Sequence, residues 1–199
     1  MRPALLLLAA YLLGSFPTSL LVARMRGIDL RKHGSGNLGA TNAFRVLGWK
    51  AALPVFIVDI FKGWFPTFFF PRWDGVDTTL LAMAYGAAAI VGHVFSVYVR
   101  FKGGKGVATS AGVLLALAPV AVGVSLVFWA GIVYLTGYVS LASIVSAIVV
   151  PIVIALVQGR GPILWLGIGL ALFVVFAHRA NIKRLLRGEE HRFRKKAAQ

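Results

Sequence analysis

Long apolar runs, separated by short segments rich in cations and glycine, restrict this chain to one kind of solvent. A helix needs roughly 20 apolar residues to cross the hydrocarbon of a bilayer, with about 17 as a lower limit. Candidate spans occur at Pro3–Ala23, Ala51–Phe70 and Thr78–Val99, and Ile163–Ala177 forms a last apolar segment. Between Val107 and Val157 the chain carries no charge at all. With 59% hydrophobic and 14% charged residues, it is far more apolar than soluble domains. Removal of the first segment as a signal peptide would still leave a polytopic protein, and Pro3–Ala23 is read as a retained span.

The charges decide the orientation. A net charge of +15, from 21 Lys and Arg against six acids, would suggest a nucleic-acid partner in a soluble protein. Here the cations flank apolar spans, which points to the positive-inside rule and to no nucleic acid. Arg24, Arg26, Arg31, Lys32, Arg45 and Lys50 follow the first span, and Arg100, Lys102 and Lys105 follow the third. Both loops are therefore cytoplasmic, the Pro71–Asp77 loop lies outside, and the basic tail from Arg179 lies inside. Parity then requires an even number of crossings after the Arg100–Gly106 loop. Breaks near Ala118–Pro119 and Thr136–Gly137 divide the uncharged stretch into three short crossings. The expectation is an all-α integral membrane protein of seven transmembrane helices, N-terminus outside and C-terminus cytoplasmic, in a single domain over residues 1–199 with 194–199 as a flexible basic tail. Six spans with one re-entrant segment is the alternative.

Three segments carry chemistry. In Gly34-Ser35-Gly36-Asn37-Leu38-Gly39-Ala40-Thr41-Asn42, closely spaced glycines allow successive amides to face one anion. Ser35, Asn37, Thr41 and Asn42 add side-chain donors, and Arg45 follows in position to clamp a phosphate. The competing reading is a flexible connector with a positive-inside arginine. In Phe101-Lys102-Gly103-Gly104-Lys105-Gly106, glycines and two lysines precede a helix whose N-terminus favours anions. The spacing departs from GxxxxGK[ST], because Gly106 follows Lys105, so nucleotide binding ranks low. At the end of the last span, His178 and Asn181 share a face if the helix continues. Most of the arginines around them suit an amphipathic helix held to anionic lipid.

Asp59 and Lys62 stand three apart inside the second span, where a lone charge costs about 2.5–3.5 kcal/mol on insertion scales. They are expected to neutralise one another, with a proton route or support of a site as the other reading. His93 is read either as a hydrogen-bonded structural residue or as an active one.

GSGNLGATN with the following Arg45, GHVFSVYVRFKGGKGVAT at Gly92–Thr109, SLAS at Ser140–Ser143 and HRANIKRLLRGEEHRF at His178–Phe193 together resemble the bacterial acyl-phosphate:glycerol-3-phosphate acyltransferases, the PlsY family. The resemblance implies a seven-helix enzyme of the bacterial inner membrane, with its active site at the cytoplasmic face. It would transfer a fatty acyl group from long-chain acyl phosphate to the sn-1 hydroxyl of glycerol 3-phosphate, giving lysophosphatidic acid and phosphate. Carried over by motif position, Ser35, Arg45, Lys105, Ser143, His178 and Asn181 would hold the phosphate groups, with Ser35, Arg45, Lys105, His178 and Asn181 as the catalytic set. Gly103, Gly104 and Gly106 would shape the glycerol 3-phosphate site, with Gly36, Asn37, Thr41, Asn42 and Lys102 completing the binding residues. Glu189 is read as a structural residue, and the protein is expected to act as a monomer in membrane lipid.

The chemistry suits those residues. Two phosphorylated molecules can meet near a low-dielectric boundary only where cations and oriented amides offset their repulsion. Acyl phosphate is already activated, so no acyl-enzyme is required, in keeping with a chain that has no cysteine. The hydroxyl proton goes either to His178 or to a substrate phosphate. No cofactor is implied, and the scattered acids Asp29, Asp59, Asp74, Asp77, Glu189 and Glu190 disfavour a metal-dependent phosphatidyltransferase. A transporter of an anionic metabolite would share the spans and basic loops, but with repeated halves and a midplane site.

Overall fold

The computed structural model describes residues 2–76 and 78–193. Asp77 and the expected basic tail at Arg194–Gln199 lie outside them. Every regular element among the described residues is a helix, and the chain divides into two compact units, Met1–Leu117 and Ala118–Gln199.

The first unit contains α1 (Arg2–Ser15), α2 (Thr18–Arg24), α3 (Ala40–Leu47), α4 (Trp49–Asp74), α5 (Thr79–Val94) and α6 (Val107–Leu117). Helices α1 and α2 form one 23-residue span, Arg2–Arg24, interrupted at Phe16–Pro17, where proline removes a main-chain donor. Two side chains take the carbonyls at this break. The Ser96 hydroxyl donates to Ser15 O at 2.5 Å and Lys62 Nζ donates to Phe16 O at 3.1 Å. The long α4 starts after Gly48 and ends at Gly75, a left-handed C-cap at φ 77° of the kind glycine adopts without penalty.

Two helix crossings in this unit are built on reciprocal glycines. A Cβ on Gly14 would lie 2.1 Å from Ala89 O, and one on Gly92 would lie 2.1 Å from Tyr11 O, so α1 and α5 meet backbone to backbone. The same holds for α4 and α6, where a Cβ on Gly63 would lie 2.1 Å from Thr109 O and one on Gly112 would lie 2.0 Å from Ile60 O. Lipid supplies no hydrophobic drive between helices, so close packing of small residues carries the association. At one end of the unit, Leu20, Ala23, Leu30, Leu38, Ala43, Ala52, Val55 and Val99 form a buried apolar cluster. The first glycine-rich loop rests on it.

The second unit contains α7 (Pro119–Thr136), α8 (Val139–Val157), α9 (Pro162–Ala177) and α10 (Arg179–Leu186). Both expected breaks are present. Pro119 opens α7 at its first position, and Gly137 closes it in the left-handed conformation at φ 74°. Among the described residues five spans, with α1–α2 as one and α5 extended to Val99, are long and apolar enough to cross a bilayer; α9 and α10, bent by 57°, make a sixth if taken together. Of the three segments expected between Val107 and Val157, α7 and α8 reach that length. Helix α6, with 11 residues, extends about 16 Å at 1.5 Å per residue, too little to cross alone.

Replacing Gly92 or Gly112 by Ala forces backbones apart and is expected to destabilise the fold by about 1–3 kcal/mol. Gly123→Ala on α7, where a Cβ would meet nothing within 4 Å, serves as the neutral comparison. Thermal unfolding of the purified variants in detergent measures the difference.

Candidate active site

The first glycine-rich loop is held from beneath by one side chain. Asn42, on the first turn of α3, is 1% exposed. Its Oδ1 accepts the Ser35 amide at 2.9 Å, and its Nδ2 donates to His33 O at 3.1 Å and Leu30 O at 3.3 Å. The loop thus closes on an amide that pairs its otherwise unmatched main-chain groups. Gly34 has φ +61°, and a Cβ there would lie 2.3 Å from Asn42 Oδ1, so no other residue fits this turn. Ser35 is exposed above it, Gly36, Asn37 and Thr41 are half-buried, and Arg45, also half-buried, lies one turn beyond Thr41 on α3.

The second loop doubles back on the end of α5. Gly103 N donates to Val94 O at 2.9 Å and Gly104 N donates to His93 O at 3.2 Å. Arg100 and Phe101 both adopt left-handed backbone, at φ 56° and 61°, a conformation costly outside glycine and most often seen at functional turns. A Cβ on Gly103 would lie 1.9 Å from His93 O, and one on Gly104 would lie 2.2 Å from His93 Nε2 and 2.8 Å from Leu38 O. Leu38 belongs to the first loop, so the two glycine-rich segments touch. Exposed Lys102 and half-buried Lys105 flank the glycines, and Gly106, at φ 75°, leads into α6.

In the second unit a buried carboxylate organises the polar residues. Glu190 Oε1 accepts from Asn181 Nδ2 at 2.8 Å and from the Ser140 hydroxyl at 3.1 Å, while Oε2 accepts from Arg184 Nε at 2.8 Å. Burial of this carboxyl works to raise its pKa, but the hydrogen bonds from Asn181, Arg184 and Ser140 outweigh it and hold Glu190 below its ordinary value. The segment that carries Glu190 folds back because Gly188 turns at φ 72° and Phe193 N donates to Gly137 O at 2.6 Å. Ser143, on the first turns of α8, donates to Val139 O at 2.9 Å and is met by Trp129 Nε1 at 3.4 Å. His178 Nδ1 lies 2.8 Å from Val174 O. A carbonyl can only accept, so Nδ1 carries the proton, and in the neutral form of the ring Nε2 would hold the lone pair.

Within the first unit the structure brings together Ser35, Gly36, Asn37, Thr41, Asn42, Arg45 and the Lys102–Gly106 segment. Within the second, Glu190 joins Asn181 to Ser140 on α8, while Ser143 bonds to Val139 and Trp129 and His178 to Val174. Two readings need correction. His178 and Asn181 do not sit on one continuing helix: His178 ends α9 and caps α10 at the bend. The structural glutamate is Glu190 and not Glu189, since Glu190 is buried with three partners while Glu189 is exposed. Adjacent glutamates in a basic tail look alike in sequence. The available signal was Gly188, whose left-handed turn reverses the chain just before them.

The whole chain has relatives. Residues 4–188 match the family model described as glycerol-3-phosphate acyltransferase. The glycerol-3-phosphate acyltransferase of Desulforudis audaxviator is 48% identical over 189 residues, covering 92% of each chain. That of Geotalea daltonii is 42% identical over 190 residues, covering 96% of this chain and 97% of the relative. Among solved structures, PlsY (YgiH), described as an integral membrane glycerol 3-phosphate acyltransferase, superposes in its glycerol 3-phosphate form with a TM-score of 0.91 at 39% identity, covering 98% of this chain and 96% of that one. Its lysophosphatidic acid form gives 0.87 at 38% identity, covering 96% and 95%.

Because its pKa is depressed, Glu190 contributes stability that is fully present above its unfolded value of about 4.5 and lost as pH falls through the lower folded value. Glu190→Ala should cost about 1–3 kcal/mol at neutral pH, and Glu189→Ala nearly nothing. Unfolding midpoints between pH 3 and 7, on the order of one per half unit, will show the acid-dependent step in the Glu189→Ala protein and not in Glu190→Ala.

Proposed function

The chain belongs to the glycerol-3-phosphate acyltransferase family, and on that footing we propose that it transfers a fatty acyl group from acyl phosphate to the sn-1 hydroxyl of glycerol 3-phosphate. The products are lysophosphatidic acid and inorganic phosphate, in the first acylation of bacterial phospholipid synthesis. The observation that carries this reading is the abutment of two glycine-rich loops at Leu38 O and Gly104, in a scaffold with helices of membrane-crossing length and with Arg45 and Lys105 beside them.

The hydroxyl oxygen attacks the acyl carbonyl carbon, a carbon–oxygen bond forms, and the bond to phosphate breaks. Ser35, Arg45 and Lys105 in the first unit hold phosphate, and Ser143, His178 and Asn181 in the second do the same, each set offsetting anionic charge and stabilising that of a departing phosphate. Gly36, Asn37, Thr41, Asn42, Lys102, Gly103, Gly104 and Gly106 shape the bound glycerol 3-phosphate. A substrate phosphate oxygen takes the hydroxyl proton, with His178 Nε2 as the second candidate acceptor. The acyl chain remains in lipid, where burial contributes about 0.8 kcal/mol per methylene. The enzyme works as a monomer, one functional unit over residues 1–199. Its seven crossings of the bacterial inner membrane include α6 together with the residues that flank it, since that helix alone is too short, with the N-terminus outside and the C-terminus and loops cytoplasmic.

Purified protein supplied separately with acyl phosphate, acyl-CoA and acyl-carrier protein should form lysophosphatidate from the first alone; activity with acyl-CoA only would refute the donor. Arg45→Ala and Lys105→Ala should each lower kcat/KM by about 100-fold or more, the loss seen when one donor to a developing anion is removed, with unfolding unchanged. The chain has no cysteine, so single cysteines at Ser35, Lys105 and His178 can be labelled in intact cells with an impermeant maleimide. Labelling only after the inner face is opened is the expected result for all three.

A further inference from the structure

Asp59 and Lys62 on α4 and His93 on α5 are three titratable groups buried inside membrane-crossing helices, each at most 6% exposed. Lys62 Nζ lies 2.8 Å from Asp59 Oδ1, and His93 Nδ1 lies 3.8 Å from the same oxygen. Mutual neutralisation explains how such a cluster tolerates its surroundings. It does not explain what the cluster touches. Lys62 also holds Phe16 O at the break in the first span. His93 grips the second glycine-rich loop twice. Its carbonyl accepts the Gly104 amide, and its Nε2 fills the place next to Gly104 where a Cβ would stand. Asp59, Lys62, His93, Leu38, Gly103 and Gly104 line one narrow cleft.

We propose that Asp59, Lys62 and His93 are positioning residues: the ion pair sets the orientation of the His93 ring, the ring sets the Gly103–Gly104 backbone, and that backbone sets Lys105, the next residue in the chain. The inference rests on the acyltransferase reading given above. It assigns the buried charges to the reaction without any contact between them and substrate. The geometry is unforgiving, because the ring and Leu38 O both crowd the face of Gly104 where a Cβ would stand. A shift of the ring therefore moves the loop, and displacements of about 1 Å in a positioned group can cost on the order of 100-fold in rate.

The test uses the full-length protein in detergent. Asp59→Asn/Lys62→Met removes both charges together and so leaves no unpaired ion in the span. We expect KM for glycerol 3-phosphate to rise about tenfold or more with KM for acyl phosphate close to that of the unaltered chain, and the unfolding midpoint to fall because Phe16 O loses its Lys62 donor. Equal shifts in both KM values, or none, would overturn the proposal. If this variant does not fold, His93→Gln, with the ion pair intact, is read by the same KM comparison. A second measurement pairs Gly104→Ala with His93→Ala. If the ring confines Gly104, the double variant is no worse than the poorer single one, whereas additive losses in kcat/KM would show that ring and glycine act independently. Amide exchange at Gly103 and Gly104, followed without substrate, separates the two ideas. Unchanged exchange in Asp59→Asn/Lys62→Met defeats the positioning role whatever the reaction is. Faster exchange, in a protein whose unaltered form makes no lysophosphatidate, leaves the positioning role standing and counts against the acyltransferase reading alone.

Discussion

Pairing main-chain polar groups where no water is available is the constraint on which the structure depends. A continuous helix satisfies itself, but helix ends and irregular turns leave main-chain groups that need other partners. Each such irregularity here is matched by a specific partner. The broken first span gives its carbonyls to Ser96 and Lys62. The first glycine-rich loop closes on Asn42, and the second returns its amides to Val94 and His93. In the second unit, Glu190 gathers Ser140, Asn181 and Arg184. The polar residues that stand out in the sequence therefore divide into two kinds: those that face outward, such as Ser35, and those, such as Asn42, that hold the outward-facing ones in place.

That division explains what could be read from the sequence. The apolar spans were legible because hydropathy and length suffice to find them, and the breaks at Ala118–Pro119 and Thr136–Gly137 because proline and glycine act locally. The break at Phe16–Pro17 was hidden inside an unbroken apolar run. The bend at His178 was hidden as well, since nothing in the spacing of His178 and Asn181 separates a continuing helix from a joint between two. The motifs flagged the residues of the candidate site, yet the choice between Glu189 and Glu190 depended on a long-range contact, Phe193 to Gly137, that no local pattern encodes. Asp59, Lys62 and His93 were visible as anomalies. Their gathering around one carboxylate oxygen, with the His93 ring against Gly104, required three dimensions.

The division of electrostatic labour follows from burial. Lys102 beside the second loop is exposed, while the ions inside the helices pair with one another. Arg31, paired with exposed Asp29 at 2.7 Å, belongs to neither group, and a solvent-facing pair of this kind adds little to stability.

The reciprocal glycines have a further consequence for traffic in the bilayer. Where two helices meet with main-chain atoms almost touching, as at Gly14 and Gly92 or at Gly63 and Gly112, the seam is too tight to part around a hydrocarbon tail. Neither the α1–α5 nor the α4–α6 boundary can serve as a lateral gate, so any fatty chain that reaches the glycine-rich loops must skirt these two welds. Selection for longer or shorter chains would then act on the walls of that other route and leave the welded helices unchanged.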